Sequence, residues 1–183
     1  ETIGSITWLS QNQEKIKNIK QGLVITCTGD KGKINYKKTR NGNSEIDKTV
    51  VDILKNSDQD FSVHDFFPFG SDERQYCSPG IELDMGCLTR TAFGDFPEYH
   101  TSSDDLTCVH PSHLANTLKI ITQIIKSLEK NYDKFSHNEK TNNKIKKTTS
   151  EDPVFISLVK CEPQLGKRNL YHDLGGPKLK PFH

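Results

Sequence analysis

The stretch that decides the fold reads GSDERQYCSPGIELDMGCLTRTAFGDFPEYHTSSDDL over residues 70–106. Its centre, Met85–Thr89, is a short apolar run between proline and glycine turn formers, a pattern that predicts a buried strand. Polar groups lie on both sides of this strand: Ser71–Arg74 before it, and Glu98–Thr101 with His100 after it. Because open α/β sheets build their sites in loops at strand ends, this order predicts a functional site around the strand.

Three more strands are predicted before this stretch. Leu23–Cys27 is a continuous apolar run rich in β-branched residues, and Phe61–Phe67 leads directly into the loop at Gly70. Ile34–Lys37 is short and lies in a lysine-rich stretch, so an edge strand is expected there.

Helices are predicted between and after the strands. Apolar residues from Ile3 to Ile19 have the spacing of one amphipathic helix or two short ones, and Asn43–Asp47 has the side chains of a capped helix start. Pro111 opens a longer helix whose apolar stripe is expected to pack on the sheet. That stripe consists of Leu114, Leu118, Ile121, Ile125 and Leu128. Strands that alternate with helices predict an α/β fold, with a mixed, mostly parallel sheet and helices on both faces.

The bulk composition narrows the class of protein. The 183 residues are enough for one domain, but a hydrophobic content of 32% and a mean hydropathy of -0.69 predict a polar tail or insertion. Residues 131–150, rich in Lys, Asn, Thr and Ser, fit a flexible linker or insertion. A net charge of +1 gives no electrostatic reason to expect nucleic acid or a membrane as partner. Five cysteines without CxxC spacing predict free thiols in a reducing cytoplasm.

The motifs resemble those of the zinc-dependent aminopeptidase superfamily, which includes leucyl aminopeptidases and glutaminyl cyclases. The matching pieces are Ser71-Asp72-Glu73, Gly80-Ile81 and Tyr99–Leu106. They are most similar to a bacterial aminopeptidase-like branch of unknown function, often encoded near surface-polysaccharide genes, in which GSDERQYCSPG and EYHTS recur almost unchanged.

The resemblance implies a domain organisation and an activity. Residues 1–130 would be the C-terminal part of an aminopeptidase-like domain, 131–150 a linker, and 151–183 the end of the domain. A winged helix would follow, and this sequence does not contain it. The implied activity is zinc-dependent hydrolysis of a small peptide or amide, the latter including an amide in a polysaccharide precursor. The alternative is a non-catalytic binding module that kept the fold after losing metal ligands.

The resemblance also implies metal-site residues. His100 stands at the last metal ligand of the superfamily, and Glu1-Thr2-Ile3-Gly4 resembles its Glu-Glu-x-Gly motif. Glu1 would then be the general base, with Thr2 in place of a carboxylate ligand. Either the site keeps one zinc, or Glu1 is a ligand and the base lies elsewhere. A further ligand is expected after the strand at Leu23–Cys27, where Asp30 is preferred on chemistry and Cys27 on strand register.

Substrate-binding residues are expected in the loop at Ser71. Asp72 occupies the Ser-Asp-His position of the superfamily, close to the metal and substrate, while Glu73 replaces the histidine. Arg74 could clamp a substrate carboxylate or merely pair with Asp72. The remaining ligands of the superfamily lie outside this sequence.

Simpler readings of the same residues stay open. His100 could be a structural histidine, Asp30 an ordinary turn aspartate, Cys27 a buried apolar thiol, and Glu1 a first-turn carboxylate. If the resemblance holds, Glu1, Cys27 to Asp30, Asp72 and His100 should meet at one edge of the sheet.

Overall fold

A computed structural model describes residues 2–92 and 94–136, with side chains through residue 131. Five helices and four strands follow one another in this part of the chain. Their order is α1 (Ile3–Gln11), α2 (Gln13–Ile16), β1 (Gln21–Ile25), β2 (Ile34–Lys37), α3 (Glu45–Lys55), β3 (Phe61–His64), α4 (Glu73–Tyr76), β4 (Asp84–Thr89) and α5 (Pro111–Ser136).

The four strands form one mixed sheet in the order β1-β4-β2-β3. The pairs β1/β4 and β2/β3 are parallel, and β2 runs antiparallel to β4. The predicted α/β fold with a mixed, mostly parallel sheet is therefore confirmed.

The prediction that Ile34–Lys37 is an edge strand is wrong. This strand, β2, lies between β4 and β3, and its four residues are buried. A lysine is tolerated there because Lys37 Nζ lies 2.5 Å from Glu73 Oε1, so the buried charge has a partner.

Helices α3 and α5 cover one face of the sheet. Their apolar residues join those of the strands in the main core cluster, which comprises Ile34, Tyr36, Ile46, Val50, Leu54, Leu88, Ile120 and Ile124. A smaller cluster around Cys77, Leu83 and Met85 also draws in Ile16 and Ile19. Residues of β4 alternate between the two clusters, Leu88 in one and Met85 in the other, so the clusters lie on opposite faces of the sheet.

The predicted cap of α3 is confirmed at Ser44. Asp47 Oδ2 accepts a hydrogen bond from Ser44 N at 3.0 Å, and Ser44 Oγ accepts one from Asp47 N at 3.4 Å. Asp47 also accepts from Tyr36 Oη at 2.8 Å and from Thr39 N at 2.8 Å. Burial opposes ionisation of this carboxyl, but the bonds from Thr39, Ser44 and Tyr36 together hold its pKa below the usual value.

The predicted helix at Pro111 is confirmed, but of the stripe expected to pack on the sheet only Ile121 and Leu128 contact the main core cluster. Thr117, Ile120 and Ile124 are buried, whereas Leu118 is 63% exposed and Ile125 51% exposed. The helix has two neighbouring apolar stripes, and periodicity alone does not tell which one meets the sheet.

Helix α5 runs through residue 136, so it takes up the first residues of the predicted linker 131–150. The rest of that linker and the predicted segment 151–183 lie outside the described residues. None of the helices described in residues 2–92 and 94–136 is both long and apolar enough to cross a bilayer.

Candidate functional site

The loops that follow β1 and β4 open at the same edge of the sheet, because these two strands are parallel neighbours. Beyond the paired residues, Thr26 N donates to Leu88 O at 3.2 Å and Arg90 N donates to Cys27 O at 2.9 Å. The strand-end segment at Cys27 and the loop that carries His100 therefore leave the sheet side by side.

Asp30 links these two loops through hydrogen bonds to its carboxylate. Its Oδ1 accepts hydrogen bonds from Gly32 N at 2.7 Å and Thr91 Oγ1 at 2.5 Å, and both carboxylate oxygens lie 3.3 Å from Thr91 N. This is the geometry of a turn aspartate that bridges to a neighbouring loop. The carboxylate is at the expected edge but is engaged by the protein, and its role as a metal ligand stays a prediction.

Left-handed backbone conformations concentrate at the candidate positions. Among the described residues other than glycine, φ is positive at Thr2 (61°), Cys27 (46°), Glu82 (55°) and His100 (58°). Three of these four were singled out from the sequence as ligand positions or as replacing one. Such conformations are unfavourable for residues with a Cβ and occur preferentially at functional sites.

The start of α1 lies against the Asp72 loop. Ser5 Oγ is 2.7 Å from Thr2 O and 3.1 Å from Asp72 Oδ1. The backbone next to Glu1 is thus held close to the carboxylate of Asp72. Glu1 itself lies outside the described residues, so its role as general base stays a prediction.

Glu73 does not face solvent, although it occupies the position of the superfamily histidine. Its side chain is fully buried and forms an ion pair with Lys37, whose Nζ also donates to Phe69 O at 2.6 Å and Phe67 O at 3.3 Å. Ser71 N donates to Glu73 Oε1 at 3.2 Å. The pair therefore anchors the loop before α4, which is the loop that presents Asp72.

The Lys37–Glu73 pair was not foreseen from the sequence. The available signal was Lys37 at the end of a short run, Ile34–Tyr36, that is otherwise suited to burial. A lysine at such a position is compatible with an exposed edge strand or with a buried counter-ion, and the structure shows the counter-ion, Glu73.

Cys87 of β4 lies close to the Lys37–Glu73 ion pair and to β1. Burial raises the pKa of the Cys87 thiol most, the negative charge of Glu73 raises it further, and Cys27 adds a smaller contribution. Cys87 lies opposite Val24 of β1 and opposite Lys37 of β2, so the Lys37–Glu73 pair places α4 beside the middle of β4. Asp72 directly precedes α4, and its loop therefore lies on the face of the sheet that carries Lys37 and Cys87.

An open cavity of about 280 Å³ lies on this face of the sheet. It is lined by Asn35, Lys37, His64, Phe67, Cys87, Thr89, Ala92 and Asp95. His64 Nε2 lies 2.9 Å from Asn35 Oδ1, so this histidine, which matches no motif of the resemblance, joins the polar wall. The cavity reaches Ala92 and Asp95, which lie in the loop between β4 and His100.

His100 is exposed on that loop and lies against aromatic neighbours. Its ring stacks on Tyr99 with centroids 4.0 Å apart, and Tyr99 makes an edge contact with Phe96 at 5.4 Å. Arg74 lies in α4 and is only partly exposed. Clamping of a substrate by Arg74 and metal binding by His100 stay predictions.

Zinc binding requires three or more ligands close together. Among the side chains described, in residues 2–92 and 94–131, no three of His, Cys, Asp or Glu are grouped closely enough to hold a metal ion. The described residues therefore do not fit a zinc ion by themselves.

The fold places the chain among peptidase-like α/β proteins. The crystal structure of a "putative peptidase" from Clostridium acetobutylicum matches with a TM-score of 0.68 and 52% identity, over 70% of this chain and 30% of that chain. A zinc aminopeptidase from Bacillus subtilis matches with a TM-score of 0.55 over 69% of this chain and 32% of that one. At 13% identity, the second match shows the fold alone.

The family is shown by a match over residues 1–131 to a domain of unknown function, DUF4910, and the chain belongs to this family. A Clostridium acetobutylicum protein is 46% identical over 182 residues, which is 100% of this chain and 37% of that protein. It is named "Putative polysaccharide biosynthesis protein with aminopeptidase-like domain". The chain thus spans about a third of the length of these relatives.

Proposed function

We propose that this chain is the C-terminal part of an aminopeptidase-like, zinc-dependent hydrolase of peptide or amide bonds, and that it forms one wall of the substrate cleft. The observation that carries the proposal is a pair of hydrogen bonds, each of which joins candidate-site segments that are far apart in the sequence. Ser5 contacts Asp72 across 67 positions of sequence, and Asp30 contacts Thr91 across 61. The proposal is that these two contacts and the loop carrying His100 belong to one site at the carboxyl end of β4.

The names of the relatives support the same class of activity. One is named a putative peptidase, and another is named for its aminopeptidase-like domain. Membership of the wider leucyl aminopeptidase and glutaminyl cyclase superfamily is part of the proposal. So is an amide substrate in polysaccharide biosynthesis, since that process appears in the name of one relative.

The proposed roles of this chain's own residues are limited to binding, orientation and proton transfer. His100 offers an imidazole on an exposed loop at the carboxyl edge of the sheet. Asp72, held near the start of α1, orients the substrate amine or the residues beside Glu1, and Arg74 binds a substrate carboxylate. Glu1 is the proposed base. No catalytic step is assigned to zinc, because the described residues do not complete a site for it.

A second candidate is a non-catalytic binding module with the same fold. Two observations favour it: Thr2 stands in the place of a carboxylate, and the carboxylate of Asp30 is already engaged by Thr91 and Gly32. In that case the cavity beside β4 would bind a peptide or amide without cleaving it.

The experiment uses the full-length protein that carries this chain. Zinc content is measured by mass spectrometry, and hydrolysis is measured on a panel of aminoacyl nitroanilides and acylated amino sugars. His100→Ala should lower both zinc content and hydrolysis at least tenfold. The matched control is His110→Ala, which should change neither. His110 is exposed, and its hydrogen bond to Gly29 O at 2.8 Å comes from the backbone N–H, which the substitution keeps.

The possible results separate the two candidates. A wild-type protein without zinc and without hydrolysis, but with saturable binding of one substrate class, would support the binding module. Equal effects of His100→Ala and His110→Ala would remove the metal-ligand role of His100.

A further inference from the structure

The open cavity of about 280 Å³ beside β4 is built on two rows of strand residues. Five lining residues occupy paired positions of β2, β3 and β4: His64, Lys37 and Cys87 in one row, and Asn35 and Thr89 in the next. Directly paired residues project from the same face of a sheet, so all five lie on the face opposite the main core cluster. The rim of the cavity is formed by Phe67 and by the loop that follows β4.

The amide of Asn35 fixes the hydrogen-bonding state of His64. Asn35 Nδ2 donates to Arg90 O and, at 3.3 Å, to Lys33 O, so its NH₂ group faces two carbonyl oxygens and its Oδ1 can only accept. His64 Nε2, which lies 2.9 Å from Asn35 Oδ1, must therefore carry the hydrogen of this bond. In the neutral imidazole the other ring nitrogen, Nδ1, is then a hydrogen-bond acceptor.

Two more acceptors belong to the lining. Thr89 Oγ1 donates its hydrogen to Arg90 O at 3.2 Å, so it can offer only its lone pairs to a ligand. Asp95 is exposed and brings a carboxylate to the rim. None of the ion pairs found in residues 2–92 and 94–131 involves Asp95. The polar groups that remain available in the cavity are therefore acceptors, and one of them carries a negative charge.

Lys37 does not offset this preference, although it also lines the cavity. Its Nζ lies 2.5 Å from Glu73 Oε1, so its charge is matched within the protein. Its other partners are backbone oxygens, Phe69 O at 2.6 Å and Phe67 O at 3.3 Å. An ammonium group has three hydrogens, and all three are engaged. An anionic ligand would find no available donor at Lys37.

Phe67 supplies an apolar surface at the rim. Lys37 Nζ lies 4.3 Å from the centre of its ring, yet the Phe67 side chain is still 47% exposed. An aromatic ring in the same cavity as a carboxylate suits a ligand with an apolar body and a cationic head. The ring can cover the body of such a ligand, and its π-face also attracts a cation.

We propose that this cavity binds an organic ammonium ion, that is, a protonated amine attached to an apolar carbon group. Asp95 supplies the opposite charge, His64 Nδ1 and Thr89 Oγ1 supply neutral acceptors, and Phe67 supports the carbon group. The site requires neither zinc nor His100. It therefore goes beyond the proposed hydrolysis and does not depend on it.

The test compares three probes of similar shape and different charge: benzylammonium, benzyl alcohol and benzoate. Their binding to the full-length protein that carries this chain is measured at neutral pH by ligand-observed NMR titration. Benzylammonium should bind about fivefold or more tightly than benzyl alcohol, because hydrogen bonds to charged groups are stronger than those between neutral groups. Benzoate should bind more weakly than either.

Substitution of Asp95 locates the site. Asp95→Asn keeps the shape of the side chain and removes its charge, so it should weaken benzylammonium binding about fivefold or more and leave benzyl alcohol unaffected. Asp58→Asn is the matched control, since it removes the same charge from an exposed aspartate between α3 and β3, outside the cavity lining. It should bind all three probes like the wild type. Asp95→Lys should reverse the order of benzylammonium and benzoate. Circular dichroism checks that the variants are folded.

Four results would overturn the proposal. Equal affinity of the wild type for the three probes would mean that the cavity does not select for charge. Equal losses in Asp95→Asn and Asp58→Asn would assign the effect to the overall charge of the protein. Unchanged binding in both Asp95 variants would place the amine elsewhere. Binding that is lost in His100→Ala but kept in Asp95→Asn would assign the amine to the proposed metal centre, whereas the site proposed here should bind benzylammonium in His100→Ala even if zinc is lost.

Discussion

The two faces of the sheet hold their buried charges in different ways. On the α3 and α5 face, Asp47 is surrounded by hydrogen-bond donors at the cap of a helix, within an otherwise apolar cluster. On the opposite face, Glu73 and Lys37 form an ion pair beside an open cavity, and Glu73 Oε2 has no hydrogen bond within the described residues. The first arrangement stabilises the fold, whereas the second fixes the position of a loop and carries the desolvation cost of two buried charges.

The largest effect is expected from breaking the ion pair. Glu73→Ala leaves the Lys37 ammonium buried without its partner, so the free energy of unfolding should fall by about 3–5 kcal/mol, measured by urea denaturation. Glu14 pairs with Lys17 at 2.6 Å, with side chains 85% and 70% exposed. Glu14→Ala is therefore the matched control, and it should change stability by about 1 kcal/mol or less.

The double variant Lys37→Met with Glu73→Leu sharpens this result. It removes both charges while keeping side-chain volume, so it should recover most of the stability lost in Glu73→Ala. Retained stability with lost activity would indicate that the pair positions the Asp72 loop. A double variant as unstable as the single one would mean that packing, rather than the unpaired charge, governs this face.

The next largest loss of stability is expected from a substitution in the main core cluster, on the α3 and α5 face of the sheet. Leu54 is fully buried in the main cluster, so Leu54→Ala should lower the free energy of unfolding by about 2–5 kcal/mol through lost burial and the cavity left behind. Leu106, which is 88% exposed, provides the control, and Leu106→Ala should be nearly neutral. Similar losses in both variants would contradict the assignment of the core.

The smallest effect is expected at Asp47, and it should depend on pH. Asp47→Asn loses acceptor sites for Thr39 and Ser44, which should lower stability by about 1–3 kcal/mol at neutral pH. The pKa of Asp47 is lower in the folded state than in the unfolded state. The wild type is therefore more stable than the variant above the unfolded-state pKa of about 3.9, and this advantage is lost as the pH falls through the lower pKa of the folded state. Unfolding curves from pH 7 to pH 2 measure it. A stability difference that is constant over this range would show that the carboxylate charge contributes nothing.

Much of the local structure could be read from sequence, since it depends on neighbours in the chain. The strand at Met85–Thr89, the capped start of α3 at Ser44 and the long helix from Pro111 were all predicted, and each is present within a residue or two. The α/β class followed from their alternation. The signals were strand and helix periodicity and the residue types of a helix cap, which act over a few positions.

The candidate site was predictable only as a set of motifs. Their order pointed to the family and to Asp72 and His100, but nothing in the sequence indicated that Asp30 would bind Thr91. That contact spans 61 positions and exists because β1 and β4 pair in parallel. Residues held by such long-range contacts have no signature in their own neighbourhood.

The sequence by itself determined the family, the elements and the residue types available for chemistry. Only the tertiary structure decided that β2 is central, that Glu73 is buried against Lys37 rather than exposed, and which residues of α5 are buried. The physical reason is the same in each case. A short apolar run with one lysine, a loop glutamate and a helix with two apolar stripes each have more than one low-energy environment. Packing against distant segments selects one of them, because a buried charge needs its partner and an apolar surface needs a neighbour that excludes water.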